Sequence, residues 1–287
     1  MTKTLLITGV KGYIGRHVVQ CFYEHGWTAS QLCLVDIGEP VGIPEPLQEA
    51  YVNCNVLEQA ESEKLWESLG RAEIVLHLAW RNGFNHKAGT HLEDLPRHVA
   101  FLENMVKSGC RSVAVMGTMH ECGYWEGAIT ADTPCSPLSK YGIAKNALRQ
   151  ATLLLCQEYQ VDCKWLRAYY ITGDDAAGQS LFSRIVGWEK EGKTTFPFTS
   201  GINKYDFLDI SQLAYQIMRA VAQDKINGII NICSGVPMSL KDRVEAFLAE
   251  HKFAIRPEYG AFPDRPYDSP GCWGDPSLIN AILADCK

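Results

Sequence analysis

Gly9, Gly12 and Gly15 stand three residues apart directly behind the apolar run Thr4–Thr8, and that order restricts the chain to few folds. The run reads as a buried strand. Tyr13–His25 carries helical spacing through Ile14, Val18, Cys21 and Phe22. Strand, glycine turn and helix in sequence make a cradle for phosphate. Gly9 permits the tight turn, Gly12 lets the backbone approach a pyrophosphate, and Gly15 lets the helix pack close to the strand. The helix start adds unsatisfied N–H groups and partial positive charge. A second buried strand, Leu32–Val35, ends at Asp36. A carboxylate there holds both hydroxyls of an adenosine ribose and repels a 2′-phosphate, and no arginine follows closely. That favours NAD over NADP. The competing reading is a strand-end aspartate that only caps a turn.

Strand-like and helix-like segments keep alternating. Strands are expected at Tyr51–Val52, Ile74–Ala79, Ser112–Met116 and Cys163–Tyr169. Helices are expected at Leu57–Leu69, His91–Lys107 and Ser139–Tyr159. Such alternation implies an α/β fold, a doubly wound parallel sheet of Rossmann type with helices on both faces. After about Thr172 the pattern becomes irregular. Gly173–Gly178 reads as a loop and Gly192–Lys204 as polar and turn-rich. Helices return at Ser180–Glu191, Ser211–Ala222 and Leu240–Glu250, and the Pro- and Gly-rich stretch Arg256–Asp275 reads as a surface wrap. The expected division is a cofactor-binding region at 1–172 and a smaller substrate-binding cap at 173–287, some of whose strands and helices return to the core.

The composition is that of a globular protein, 46% hydrophobic and 21% charged, with net charge −6 and no basic run to suggest a nucleic-acid partner. Its 11 cysteines include no pair with zinc-ligand spacing, so no metal is expected and free thiols in a reducing cytoplasm are. No stretch approaches the ~20 apolar residues of a membrane span.

Tyr141 and Lys145 lie at i and i+4 in the helix expected from Ser139, hence on one face. A free tyrosine, with pKa ~10, is a poor proton carrier near neutrality. A nearby ammonium and an oxidised nicotinamide both favour the phenolate. Thr118, at the end of the preceding strand, places a hydroxyl where it can bond a substrate oxygen. His120, two residues on, is either a sugar contact, a second acid/base or a structural histidine.

Together these residues resemble the extended short-chain dehydrogenase/reductases, the NAD-dependent epimerase/dehydratase family acting on nucleotide sugars. Thr8–Gly15 is similar to that family's TGxxGxIG, His77-Leu78-Ala79-Trp80 to HLAA, and Met116–Gly123 to SS[ST]xxVYG. Tyr141/Lys145 matches YxxxK. Arg167–Gly173 is similar to LRxxNVYG, Tyr205–Ile210 to RDFVHV, and Asn231–Gly235 to NVGSG. The resemblance implies catalysis by Tyr141, Lys145 and Thr118. It implies NAD contacts from Gly9, Gly12, Tyr13, Ile14, Gly15, Asp36, Asn55, Val56, Leu78, Ala79, Trp80, Tyr141, Lys145 and Tyr169. Substrate contacts would come from Thr118, His120, Tyr141 and Tyr170. It also implies a homodimer paired through the helices His91–Lys107 and Ser139–Tyr159. Three departures stand out: Tyr170 replaces an asparagine, Tyr205 replaces an arginine, and Thr118 lacks the following Asp-Glu pair of the 4,6-dehydratases, which argues against water elimination.

The first functional expectation is therefore reduction at C4 of a nucleotide-linked 4-keto-6-deoxy sugar, with Tyr141 as proton donor. The alternative is a nucleotide-sugar 4-epimerase that retains NAD. An epimerase/reductase using His120, and a non-catalytic NAD sensor, are further readings.

Overall fold

The structure is a computed structural model, and it describes residues 4–173, 180–264 and 269–285. The expected loop Gly173–Gly178 lies, beyond Gly173, outside the described residues. The chain begins β1 (Leu5–Thr8), α1 (Tyr13–Glu24), β2 (Leu32–Asp36), β3 (Tyr51–Asn53), α2 (Leu65–Ser68), β4 (Ile74–His77) and α3 (Thr90–Ser108). It continues β5 (Ser112–Thr118), β6 (Gly127–Ile129), α4 (Lys140–Glu158), β7 (Asp162–Ala168) and β8 (Tyr170–Thr172). Then come α5 (Leu181–Lys190), β9 (Thr195–Pro197), β10 (Lys204–Asp209), α6 (Ile210–Ala222), β11 (Gly228–Ile232) and β12 (Pro237–Ser239). The chain closes with α7 (Leu240–Glu250), β13 (Arg256–Glu258), β14 (Gly271–Gly274) and α8 (Ser277–Ala284).

Seven parallel strands form the main sheet in the order β11-β7-β5-β4-β1-β2-β3. The order reverses between β1 and β4, so their carboxyl ends open a crevice there. β1, β4 and β5 are buried along their whole length, as strands covered on both faces must be. One apolar cluster joins Ile7, Phe22 and Leu34 to Leu213 and Ile217 of α6. A second joins Leu6, Val75 and Val113 to Phe101 and Met105 of α3 and Leu148 of α4. The chain thus wraps both faces of the sheet, as the alternation implied.

A second sheet runs β12-β10-β14-β6, with β8 pairing β10. It lies at the carboxyl ends of β5 and β7, because β6 and β8 follow those strands directly. Phe182, Phe196, Phe198 and Phe247 build a separate apolar cluster beyond it. Two segments differ from expectation. The helix expected over Leu57–Leu69 shrinks to Leu65–Ser68, preceded by turns in which the Asn104 amide donates to the carbonyls of Ala60 and Ser62. The wrap expected over Arg256–Asp275 contains two strands, and β14 sits inside the second sheet between β10 and β6. Gly192–Lys204 likewise contributes β9, paired with β13.

Candidate active site

Gly9 takes φ +73°, and a Cβ on it would lie 2.6 Å from the Ala79 backbone. A Cβ on Gly15 would lie 2.0 Å from the Gly9 carbonyl oxygen. The glycine turn is therefore pressed against β4 on one side and α1 on the other, and no larger residue fits. Gly12 begins α1 without a side-chain cap, which leaves Tyr13, Ile14 and Gly15 at a helix start of positive potential. Asp36, at the end of β2, accepts from the Lys11 amide at 2.8 Å and the Ile37 amide at 2.8 Å. Leu78 and Ala79 continue β4 past the crevice, and Ala79 donates to Thr8 Oγ1 at 3.3 Å. Asn55 caps its own turn by accepting from the Leu57 amide at 3.2 Å, and Val56 is buried beneath it. The uncapped helix start, the glycine cradle and the strand-end carboxylate fit a dinucleotide.

Thr118 is the last residue of β5. Its amide donates to the Glu121 carboxylate at 2.6 Å, and its own Oγ1 accepts from the His120 amide at 3.3 Å. This reciprocal capping box closes the 3-10 turn Met119–Glu121. Ser139 caps α4 by accepting from the Gly142 amide at 3.1 Å. Gly142 touches the turn: a Cβ on it would lie 2.4 Å from the His120 carbonyl oxygen. That approach brings the first turn of α4 onto the end of β5, where the Thr118 hydroxyl is close enough to the Tyr141 phenol to favour its ionised form. Lys145, one turn further along α4, is buried and donates to the Met116 carbonyl at 2.8 Å. Its Nζ sits 3.8 Å from the centroid of the Trp80 ring. Tyr141, Lys145 and Thr118 are thus brought together.

Burial sets the electrostatics. It pushes the Lys145 ammonium down to about 7, against the opposing pull of Glu121. It pushes the Tyr141 phenol above its ordinary value, with the Thr118 hydroxyl acting the other way. Glu121 is fully buried and bonds Trp165 Nε1 at 2.9 Å. Desolvation raises its pKa above the ordinary carboxylate value, while Arg167 and the Thr118 amide oppose that rise.

Histidines crowd the phenol. His86 stacks on Tyr141 with ring centroids 4.7 Å apart, and His120 meets His86 edge-on at 4.4 Å. Desolvation holds His120 down to about 4, with His86 adding to the effect. The Tyr141 amide donates to the His86 carbonyl at 3.2 Å. Trp80 Nε1 donates to His91 Nδ1 at 3.0 Å, and the indole stacks on His98 at 4.4 Å. His86, His91, His98 and Glu121 were not anticipated. The Thr118-x-x-Glu121 pattern was a legible signal for the last. The three histidines are 43 to 55 residues from Tyr141 and carried none.

Other expected residues fall at the rim or behind it. Tyr170 lies 6.5 Å from His120 and 4.5 Å from Tyr205, ring to ring, at the junction with the second sheet. Tyr169 is buried, and its hydroxyl meets Asn231 Oδ1 at 3.1 Å. Asp206 spends its carboxylate on the amides of Ser234, Gly235 and Gly274. Among the described residues no group of three His, Cys, Asp or Glu side chains could hold a metal ion.

The description of the NAD dependent epimerase/dehydratase family matches residues 5–233. The chain belongs to this family. It is 43% identical over 271 residues to dTDP-6-deoxy-L-talose 4-dehydrogenase (NAD(+)) of Aggregatibacter actinomycetemcomitans, covering 94% of this chain and 98% of that protein. It is 24% identical over 272 residues to a putative UDP-glucose 4-epimerase of Methanocaldococcus jannaschii, covering 91% of this chain and 86% of the relative. Its fold is similar to that of UDP-glucose 4-epimerase from Thermotoga maritima, solved with UDP-glucose, at TM-score 0.80 and 20% identity over 97% of this chain and 91% of that one. It is similar again to the Thermus thermophilus UDP-glucose 4-epimerase in complex with NAD, at TM-score 0.77 and 18% identity over 97% and 92%. In this member of the family, the glycine turn packs against Ala79, and the neighbouring Trp80 against Lys145 and Tyr141.

Proposed function

We propose that this family member is an NAD-dependent oxidoreductase acting at C4 of a nucleotide-linked 6-deoxyhexose, and that it reduces the 4-keto sugar to the alcohol. The carrying observation is the meeting of Tyr141, Thr118 and Lys145 at the crevice. The relative that is 43% identical along nearly its whole length is named for oxidation of such a sugar, which is the same reaction in reverse.

Gly9, Gly12, Tyr13, Ile14, Gly15, Asp36, Asn55, Val56, Leu78 and Ala79 line the place for NAD. When bound, NAD supplies the hydride acceptor or donor. Tyr141 delivers a proton to the C4 oxygen in reduction and removes it in oxidation. Thr118 holds that oxygen and the phenol in one hydrogen-bonded line. Lys145 brings positive charge beside the phenol and lowers the cost of phenolate. Tyr170 and His120 border the sugar. Met119 and His120 follow Thr118 in place of an Asp-Glu pair, so elimination of water, which needs a base for the C5 proton and an acid for the departing C6 hydroxyl, is not part of the proposal.

The exposed apolar residues Leu92 of α3 and Ile143 and Leu154 of α4 support a homodimer paired through these two helices. The ten described cysteines are free thiols, which fits a reducing cytoplasm; a place in deoxysugar biosynthesis rests on the 6-deoxysugar in the name of the 43%-identical relative. No described helix is long and apolar enough to cross a membrane.

The test is loss of NADH absorbance with a panel of thymidine- and uridine-diphosphate 4-keto-6-deoxysugars. Stoichiometric oxidation with one of them, lost in Tyr141→Phe, is expected. Folded protein that oxidises no NADH, yet interconverts C4 epimers with tightly held NAD, is an epimerase instead.

A further inference from the structure

We propose that Trp80 is a positioning residue for Lys145, its indole face holding the ammonium in place one helical turn from Tyr141. The proposal rests on the reading of Tyr141 and Lys145 as the proton-transfer pair. A small residue suffices at this place in the family's HLAA pattern; a tryptophan there asks for a reason.

Lys145 has three donors in a buried site, and its hydrogen bond among the described residues goes to the Met116 carbonyl at 2.8 Å. An ammonium stripped of water at that depth pays a large desolvation cost. The Trp80 ring lies 3.8 Å from Nζ, inside the range where the negative face of an indole attracts a cation. The ring itself is held. His98 stacks on it at 4.4 Å and 17°, and His91 Nδ1 accepts from its N–H at 3.0 Å. His91 Nε2 in turn meets the Asn85 carbonyl at 2.9 Å. Trp80 therefore cannot swing away without breaking two contacts to α3.

The charged and titratable groups around Lys145 come from four elements. Among the described residues, Glu121 of the 3-10 turn is the only one of them that favours the ammonium. His77 at the end of β4 and His98 on α3 sense Lys145 as a like charge when protonated, and burial keeps both neutral. Tyr141 lies on the same helix as Lys145. With one carboxylate and one carbonyl as its polar support, the ammonium depends on the indole for the rest.

Cofactor-free protein labelled with 15N-lysine gives the test, the Lys145 resonance being identified by its absence in Lys145→Arg. Trp80→Leu keeps the site dry and removes the π face; it is expected to lower the Lys145 pKa by about one unit. Trp80→Phe keeps a π face but loses the N–H, and is expected to titrate close to wild type. Trp80→Met replaces the leucine variant if that fails to fold. Where the wild type turns over a sugar, the leucine variant's oxidative pH–rate profile moves to higher pH, because a neutral Lys145 no longer favours phenolate. Identical titration in all three proteins overturns the proposal. So does an equal shift in the phenylalanine and leucine variants, which would assign the effect to the His91 hydrogen bond. Absence of turnover in wild type would sink the oxidoreductase reading and leave the Lys145 titration to be judged by itself.

Discussion

Gly142 and the His120 carbonyl are in direct backbone contact: a Cβ on Gly142 would lie 2.4 Å from that oxygen. The contact sets how close Tyr141 comes to Thr118. Gly142→Ala cannot be absorbed by a side-chain rotation, since the obstacle is backbone. It is expected to lower kcat by about ten-fold or more, because small misplacements of reacting groups are costly. The melting temperature should change less in proportion, and steady-state kinetics beside thermal melts would show it. Unchanged kcat would mean that the turn and α4 move apart freely.

Asp36 is the expected selector of NAD over NADP. Asp36→Ala is expected to weaken NAD by about ten-fold, an interaction worth roughly 1.4 kcal/mol. The same change should narrow the gap to NADP, because a repelling carboxylate is gone. Calorimetric titration of both dinucleotides measures it. Equal loss for both would assign Asp36 to the Lys11 and Ile37 amides alone.

Glu121 neutralises a buried cation. Arg167 and Glu121 are both fully buried, 3.5 Å apart, with Arg149 at 3.7 Å from the same carboxylate. Glu121→Ala removes the counter-charge and leaves the Thr118 amide and the Trp165 N–H without their acceptor. Breaking such a pair costs about 3–5 kcal/mol. Glu121→Gln, which keeps an acceptor oxygen, should cost less. Urea denaturation of both variants distinguishes them.

The buried histidines predict acid sensitivity. Burial holds His98 down to about 3 and His120 to about 4, and His77 also well below its ordinary value. The unfolded chain binds these protons near pH 6.5 and the folded chain does not. Between pH 6.5 and about 4 the unfolded state therefore carries more protons, and stability falls as pH falls. Each such histidine contributes a slope of about 1.4 kcal/mol per pH unit where only the unfolded form titrates. His98→Phe, which keeps an aromatic surface under Trp80, should flatten the dependence of Tm on pH over that window. An unaltered slope would mean that His98 is charged in the fold.

The main sheet was legible because its determinants are local. Buried runs such as Leu32–Asp36, a glycine triplet and a helix cap state their conformation within a few residues. α7 was anticipated to the residue, since Ser239 caps it and its apolar spacing is regular. Leu57–Leu69 misled because its apolar spacing suits a helix, whereas the carbonyls of Ala60 and Ser62 are claimed by Asn104 from α3. β14 was invisible because Gly271–Gly274 is only four residues long with a glycine at each end, and is held by pairing with β10 and β6.

For the site, sequence alone named the groups proposed to carry the chemistry: Tyr141, Lys145 and Thr118 as residue types at fixed spacing, the glycine turn, and the carboxylate Asp36. Tertiary structure decided their environment. That Lys145 is dry and rests on Trp80, that His86 lies flat on Tyr141, and that Glu121 faces Arg167 are facts of packing between distant segments. Proton affinity depends on desolvation and on the charges within a few ångströms. Those are set by which segments the sheet brings together, not by their separation along the chain.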